Sequence, residues 1–283
     1  MSLTPILVSV AILGGVALTF AILIALANKK LKVWEDPRID AVSDRLPGSN
    51  CGACGSAGCR AFAEELVAGQ VQPAKCTQLS SEDVVDIAEY LGVEAGEAVK
   101  RVARLLCAGG SHVSMTRAEY IGLDTCGAAA AVAAGGKGCA WSCLGLADCE
   151  RVCDYDAIYM NHYGLPVVIP DRCTACGDCV EACPRDLFEI MPVTQKLIVQ
   201  CKSLLEGDEA EEICKVACTG CGLCVQDAAP GLIEIKDGLA VIDYGKNDLA
   251  DPKAIERCPT GAIVWLEGQQ FSDMPQPLRS EVA

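Results

Sequence analysis

The sequence predicts an α+β chain built in pieces: one amino-terminal membrane-spanning helix, a small helical cysteine-bearing domain, then tandem modules of short β-hairpins between cysteine clusters. Three observations carry this prediction. The chain has 20 cysteines against 4 phenylalanines and 2 histidines in 283 residues. Large rings are too few to fill one broad core, so several small units must be cross-linked by something else. The chain opens with a long run free of ionisable side chains, and a cluster–hairpin–cluster pattern recurs twice between residues 139 and 266. A formal charge of −15 excludes nucleic acid as a natural partner, because phosphate binding needs a basic face.

Residues 6–27 are 22 consecutive residues without an ionisable group. At 1.5 Å rise they would span about 33 Å, the thickness of a bilayer core. Ala25-Leu26-Ala27 mimics a signal-peptidase site, but no Lys or Arg precedes it and the apolar run is too long for a signal peptide. Lys29, Lys30 and Lys32 follow the run, so the positive-inside rule places everything downstream in the cytoplasm. That compartment keeps thiols reduced, which favours metal binding over disulfides.

A polar connector over residues 33–47 leads into a cysteine segment, and Ser80 with Asp83 three residues on marks a capped helix that stops at Gly92. Residues 94–107 are expected to form a second helix. Short strands are expected at 157–160, 165–169, 187–191, 197–199, 232–235, 239–242 and 262–266.

The most specific motif is Cys173-x2-Cys176-x2-Cys179-x3-Cys183-Pro184. Three thiolates at this spacing wrap one iron-sulfur cube and the fourth reaches a neighbouring cube, whereas zinc sites join separated cysteine pairs. The partner motif is a stretched Cys139-x3-Cys143-x5-Cys149-x3-Cys153, with Leu146 at the expected middle position. The cross-over rule then pairs Cys173, Cys176 and Cys179 with Cys153, and Cys139, Cys143 and Cys149 with Cys183. In the following module Cys218, Cys221, Cys224 and Cys258 make one complete ligand set, while Ala228, Asp248, Asp251 and Ala254 occupy all four positions of the other. Losing one whole set and keeping the other points to a one-cluster module. Near the amino terminus, Asn50-Cys51-Gly52-Ala53-Cys54-Gly55-x3-Cys59, with Cys76 further on, supplies another four thiols on a Gly-rich loop. A cube fits there, and a zinc knot is the alternative. Cys107, Cys126, Cys201 and Cys214 remain: they are either the complement of a fifth cube or packed thiols, and their long separations favour packing. Cys139 and Cys214 could exchange roles with near neighbours. No dinucleotide fingerprint or P-loop is present.

The run RLPGSNCGACGSAGCRAFAEELVAGQ, with YIGLDTC, GCAWSCLGLADC and VQC further on, closely resembles the B subunit of the Rnf complex, the ion-translocating ferredoxin:NAD oxidoreductase of bacterial and some archaeal membranes. The resemblance spans almost the whole chain. It implies an iron-sulfur electron-transfer subunit; the cysteine sets counted above give about four [4Fe-4S] clusters, with room for a fifth on Cys107, Cys126, Cys201 and Cys214, and a single expected membrane helix without intramembrane charge or dinucleotide motif leaves no NAD site or ion pump in this chain alone. Electrons would come from soluble ferredoxin and pass to flavin- or NAD-binding and membrane subunits, coupled to Na+ or H+ movement. Longer family members commonly keep a full cysteine set in the last module, and this chain departs there, so cluster number does not carry over.

The expected fold class is therefore α+β, with a single N-terminal transmembrane helix, a small helical 4Fe-4S domain and tandem ferredoxin-like modules with short β-hairpins. The expected divisions are an anchor at 1–32, the 4Fe-4S domain at 33–92, a helical, Gly/Ala-rich connector at 93–138, a two-cluster module at 139–200, a one-cluster module at 201–268 and a tail at 269–283. The expected location is the bacterial or archaeal inner membrane, single-pass, with the soluble part on the cytoplasmic side. The alternatives are an anchored polyferredoxin serving another membrane reductase and a zinc-stabilised scaffold without redox activity.

Overall fold

Four two-stranded antiparallel sheets organise the part of the chain after residue 100. They belong to a computed structural model that describes residues 4–31, 35–97 and 99–271. Helix α1 (Thr4–Leu31) opens the chain. Next come α2 (Pro37–Ser43), capped by the Asp36 carboxylate accepting from the Arg38 N–H, α3 (Cys59–Val67) and α4 (Ser81–Leu91). Val42, Phe62, Leu66, Ile87 and Cys76 share one buried core, so these three helices form a unit of their own. The predicted cap of α4 is present: Ser80 Oγ accepts from the Asp83 N–H, and Gly92 ends the helix in the left-handed conformation at φ 68°.

The expected membrane anchor is overturned, because among the described residues no helix is long and apolar enough to cross a membrane. The single-pass location with a cytoplasmic soluble part rested on that anchor and falls with it. Lys32, which supported the orientation, and residues 272–283 of the tail lie outside the described residues.

The helix expected over 94–107 is corrected too. Residues Arg101–Leu105 form strand β1, where Val102, Ala103, Arg104 and Leu105 are all buried, so the sequence lacks the alternation that reveals a half-exposed strand. Five-residue helix α5 (Cys126–Ala130) and α6 (Asp148–Arg151) precede the hairpin of β2 (Ile158–Met160) and β3 (Pro166–Val168). Helix α7 (Asp178–Glu181) then leads to β4 (Phe188–Pro192), which pairs antiparallel with β1 from Arg101↔Pro192 to Leu105↔Phe188.

The same plan repeats. β5 (Leu197–Val199) precedes α8 (Gly207–Ile213), α9 (Leu223–Asp227) and the hairpin of β6 (Ile233–Lys236) and β7 (Leu239–Ile242). α10 (Lys253–Glu256) then leads to β8 (Ile263–Trp265), which pairs back onto β5. Each module thus has a hairpin and a closing pair, and its own apolar core into which cysteines project. Leu106, Met191 and Ile198 make a further small core from residues of both modules.

Candidate functional site

All 20 cysteines are free thiols, and they line five cavities in groups of four. Cys51, Cys54, Cys59 and Cys76 line the first, of about 300 Å³. Gly52 and Gly55, at φ 69° and 83°, fold the loop back so that Cys51 and Cys54 reach the same space. Cys59 begins α3, where its N–H donates to Asn50 Oδ1 at 2.8 Å. Cys76 follows the single turn Pro73–Lys75, its N–H donating to the Pro73 carbonyl at 3.1 Å.

The second cavity, about 310 Å³, is lined by Cys153, Cys173, Cys176 and Cys179. The third, about 370 Å³, is lined by Cys126, Cys143, Cys149 and Cys183. The fourth, about 320 Å³, is lined by Cys107, Cys139, Cys201 and Cys214. The fifth, about 350 Å³, is lined by Cys218, Cys221, Cys224 and Cys258. The structure therefore separates Cys139 from Cys143 and Cys149 and puts Cys126 in its place. Three backbone N–H donors explain the exchange. The Gly127 N–H donates to Asp148 Oδ2 at 3.1 Å and so docks the start of α5, at Cys126, against α6, which carries Cys149. The Gly138 N–H donates to the Met115 carbonyl at 2.8 Å, and the Met115 N–H to the Ile213 carbonyl at 2.8 Å. This ladder draws Cys139 toward Cys214.

The donor sets fit polynuclear iron-sulfur groups on several counts. Among the described residues no three His, Cys, Asp or Glu side chains converge on a single ion; the thiols ring a volume instead. Backbone N–H groups point at sulfur: Ala103 to Cys173 at 3.5 Å, Cys143 to Cys107 at 3.5 Å, Ser203 to Cys201 at 3.4 Å and Ala240 to Cys218 at 3.4 Å. Such donors stabilise sulfur-borne negative charge and raise reduction potential. Burial pushes the Cys107 and Cys201 thiols up to about 11 and Cys179 up to about 12, so without a metal core these sulfurs keep their protons at neutral pH. Cys258 is the exception: burial pushes its pKa up, but hydrogen bonds from the Ile263, Thr260 and Ala262 region outweigh it and hold the thiol below its usual range. Arg104, only 1% exposed, keeps its Nε without a partner while its Nη1 donates to the Gly268 carbonyl at 2.9 Å. Cys173 acts electrostatically on this guanidinium. A buried cation needs a counter-charge, and a thiolate-bound anionic cluster at Cys173 would supply one.

Two of these cysteine-bearing segments match known families. Residues 46–78 match a family described as "Putative Fe-S cluster", and residues 166–189 match the 4Fe-4S binding domain. A relative from Acetobacterium woodii, the B subunit of the Na(+)-translocating ferredoxin:NAD(+) oxidoreductase complex, is 41% identical over 92% of this chain and 78% of its own length. The chain belongs to the family of B subunits of ion-translocating oxidoreductase complexes. Another family member, the B subunit of the ion-translocating oxidoreductase complex of Methanosarcina acetivorans, is 34% identical over 90% of this chain and 96% of its own. The B subunit of the proton-translocating ferredoxin:NAD(+) oxidoreductase complex of Clostridium ljungdahlii is 35% identical over 98% and 97%. As a member of this family, the chain binds 4Fe-4S clusters.

Two further residues escaped the sequence reading because no motif contains them. Thr77 Oγ1 donates to the Thr174 carbonyl at 2.7 Å, tying the residue after Cys76 to the residue after Cys173. The Tyr155 side chain lies close enough to Ser49 and Cys51 of the helical unit and to Cys176 of the first module for all three to act on it. The helical unit and the first module therefore meet where their cysteines stand.

Proposed function

We propose that this chain relays single electrons within an ion-translocating ferredoxin:NAD oxidoreductase complex, from reduced ferredoxin toward the complex's flavin- or NAD-binding subunits. The ligand sets are Cys51, Cys54, Cys59 and Cys76; Cys153, Cys173, Cys176 and Cys179; Cys126, Cys143, Cys149 and Cys183; and Cys218, Cys221, Cys224 and Cys258. When bound, 4Fe-4S groups supply one-electron reduction and oxidation without proton transfer. The protein's own residues hold them, exclude water and set their potentials. Ala103 and Ala240 do this through their N–H groups, and Arg104 through its charge.

The observation that carries the reading is the contact between sets: Thr77 with Thr174 and Tyr155 with Cys51 join the first set to the second, while Cys149 and Cys179 share one buried core and so join the second set to the third. The NAD site and the ion path belong to other subunits, since this sequence has no dinucleotide motif. The relatives' names carry Na+ in one case and protons in another, so the coupling ion follows the assembly. The units carrying the sets are the helical 4Fe-4S domain at 33–92, a first module running from β1 to β4 and a second running from β5 to β8.

Dithionite addition to the anaerobically prepared full chain tests this reading. A brown protein that bleaches and develops the electron paramagnetic resonance of reduced 4Fe-4S clusters is expected. A colourless, zinc-bearing protein would overturn it and favour the scaffold.

A further inference from the structure

We infer that Cys107, Cys139, Cys201 and Cys214 hold a fifth 4Fe-4S cluster, which bridges the two ferredoxin-like modules. The inference rests on the reading that the other four sets bind such clusters, and adds a site that no contiguous motif announces. The four thiols line one cavity of about 320 Å³. They are also two equivalent pairs. Cys107 stands two residues after the end of β1 and Cys201 two residues after the end of β5. Cys139 precedes Cys143 by the same interval that separates Cys214 from Cys218. Each module therefore contributes its lead-in cysteine and the first cysteine of its C-x3-C step. Four scattered packed thiols would have no reason to obey that correspondence.

The walls are made for sulfur. A Cβ at Gly109 would lie in ordinary contact with Cys214 Sγ at 3.4 Å and Cys107 Sγ at 3.5 Å, so the Gly109 backbone borders two of the four thiols. The Ala108 N–H donates to the Gln200 carbonyl at 3.0 Å, which locks the residues next to Cys107 and Cys201 side by side. Sulfur also receives backbone donors, from Cys143 to Cys107 at 3.5 Å and from Ser203 to Cys201 at 3.4 Å.

Position supplies the function. The donor to Cys107 Sγ is the backbone of Cys143, a member of the third set. Cys201 in turn shares one buried core with Cys218, a member of the fifth cavity's set. The bridging quartet thus touches the sets on both sides and completes an unbroken series from Cys51 to Cys258. With clusters bound there, these cysteines would hold a series along which single electrons from reduced ferredoxin could pass, one cluster oxidised as the next is reduced, with no bond made or broken. Without the bridge, the last module would hold its cluster apart from the rest.

Iron and acid-labile sulfide per chain, measured on the anaerobically prepared full chain, test the inference. About 20 of each is expected for five clusters and about 16 for four. Wild type near 20, falling to near 16 in Cys107→Ala/Cys201→Ala with the signals of the other clusters kept, supports the bridge. Wild type near 16 overturns the bridge and leaves the general reading standing, whereas a metal-free wild type overturns both. Should the double variant fail to fold, the wild-type count decides alone.

Discussion

The two modules share a topology but differ in what fills them. In the first, Cys173, Cys176 and Cys179 supply thiols where the second has Asp248, Asp251 and Ala254. In the second, Ala254 is buried in the module's core, Ala228, Ala250 and Tyr244 pack against that core, and Asp251 Oδ1 accepts from the Lys253 N–H at 2.8 Å at the start of α10. Apolar packing and a local hydrogen bond thus stand where the first module has thiols, and the hairpin and closing pair survive. A cluster is one way to hold a small module together, and a modest core is another.

The comparison can be broken first by removing one thiol from each module. Cys224→Ala takes the second module's own quartet, so a loss of about 4 iron atoms per chain is expected, together with proteolytic cutting within 201–268. Cys179→Ala should lose as much iron while 139–200 stays protected, because its third cavity remains. Equal protection of both modules in limited proteolysis would contradict the contrast. A smaller effect is expected from Ala254→Leu. If that position is filled rather than hollow, overpacking costs about 1–3 kcal/mol, seen as a lower unfolding midpoint; an unchanged midpoint would mean that space persists.

The third test concerns charge. Arg104 lies three residues before Cys107, and the matching residue before Cys201 is Ile198, fully buried and apolar. Arg104→Met removes a buried cation from beside Cys173 and should make that cluster harder to reduce, by about 60 mV, the one-electron equivalent of about 1.4 kcal/mol. A redox titration followed by electron paramagnetic resonance reads the shift, and an unmoved potential would strip Arg104 of this role. The smallest effect is expected from Thr77→Val, which deletes the 2.7 Å bond to Thr174. A loss of about 1 kcal/mol should appear as faster hydrogen exchange at the junction, with iron content unchanged.

Much of this was legible in the sequence. The spacing of Cys173, Cys176, Cys179 and Cys183, and the Ser80 cap of α4, are local signals, and local signals survive without a structure. β1 was not legible: its four consecutive buried residues mimic a helix face, and only comparison of L-x-C at Leu105 with V-x-C at Val199 shows that the two modules start alike. The placement of Cys139 was hidden for a different reason. It depends on a backbone ladder through Gly138, Met115 and Ile213 that spans about a hundred residues, and spacing rules read only neighbours. The membrane anchor read from residues 6–27 was the opposite case, a strong local signal that the described residues do not bear out.

Coulometric reduction of the anaerobically purified chain tests the central claim most directly, since it counts electron acceptors whatever holds them. The account predicts uptake of about five electrons per chain in single-electron steps, one for each thiol quartet. No uptake, or uptake in two-electron steps that releases free thiols, would show that the cysteines hold no clusters and would contradict it.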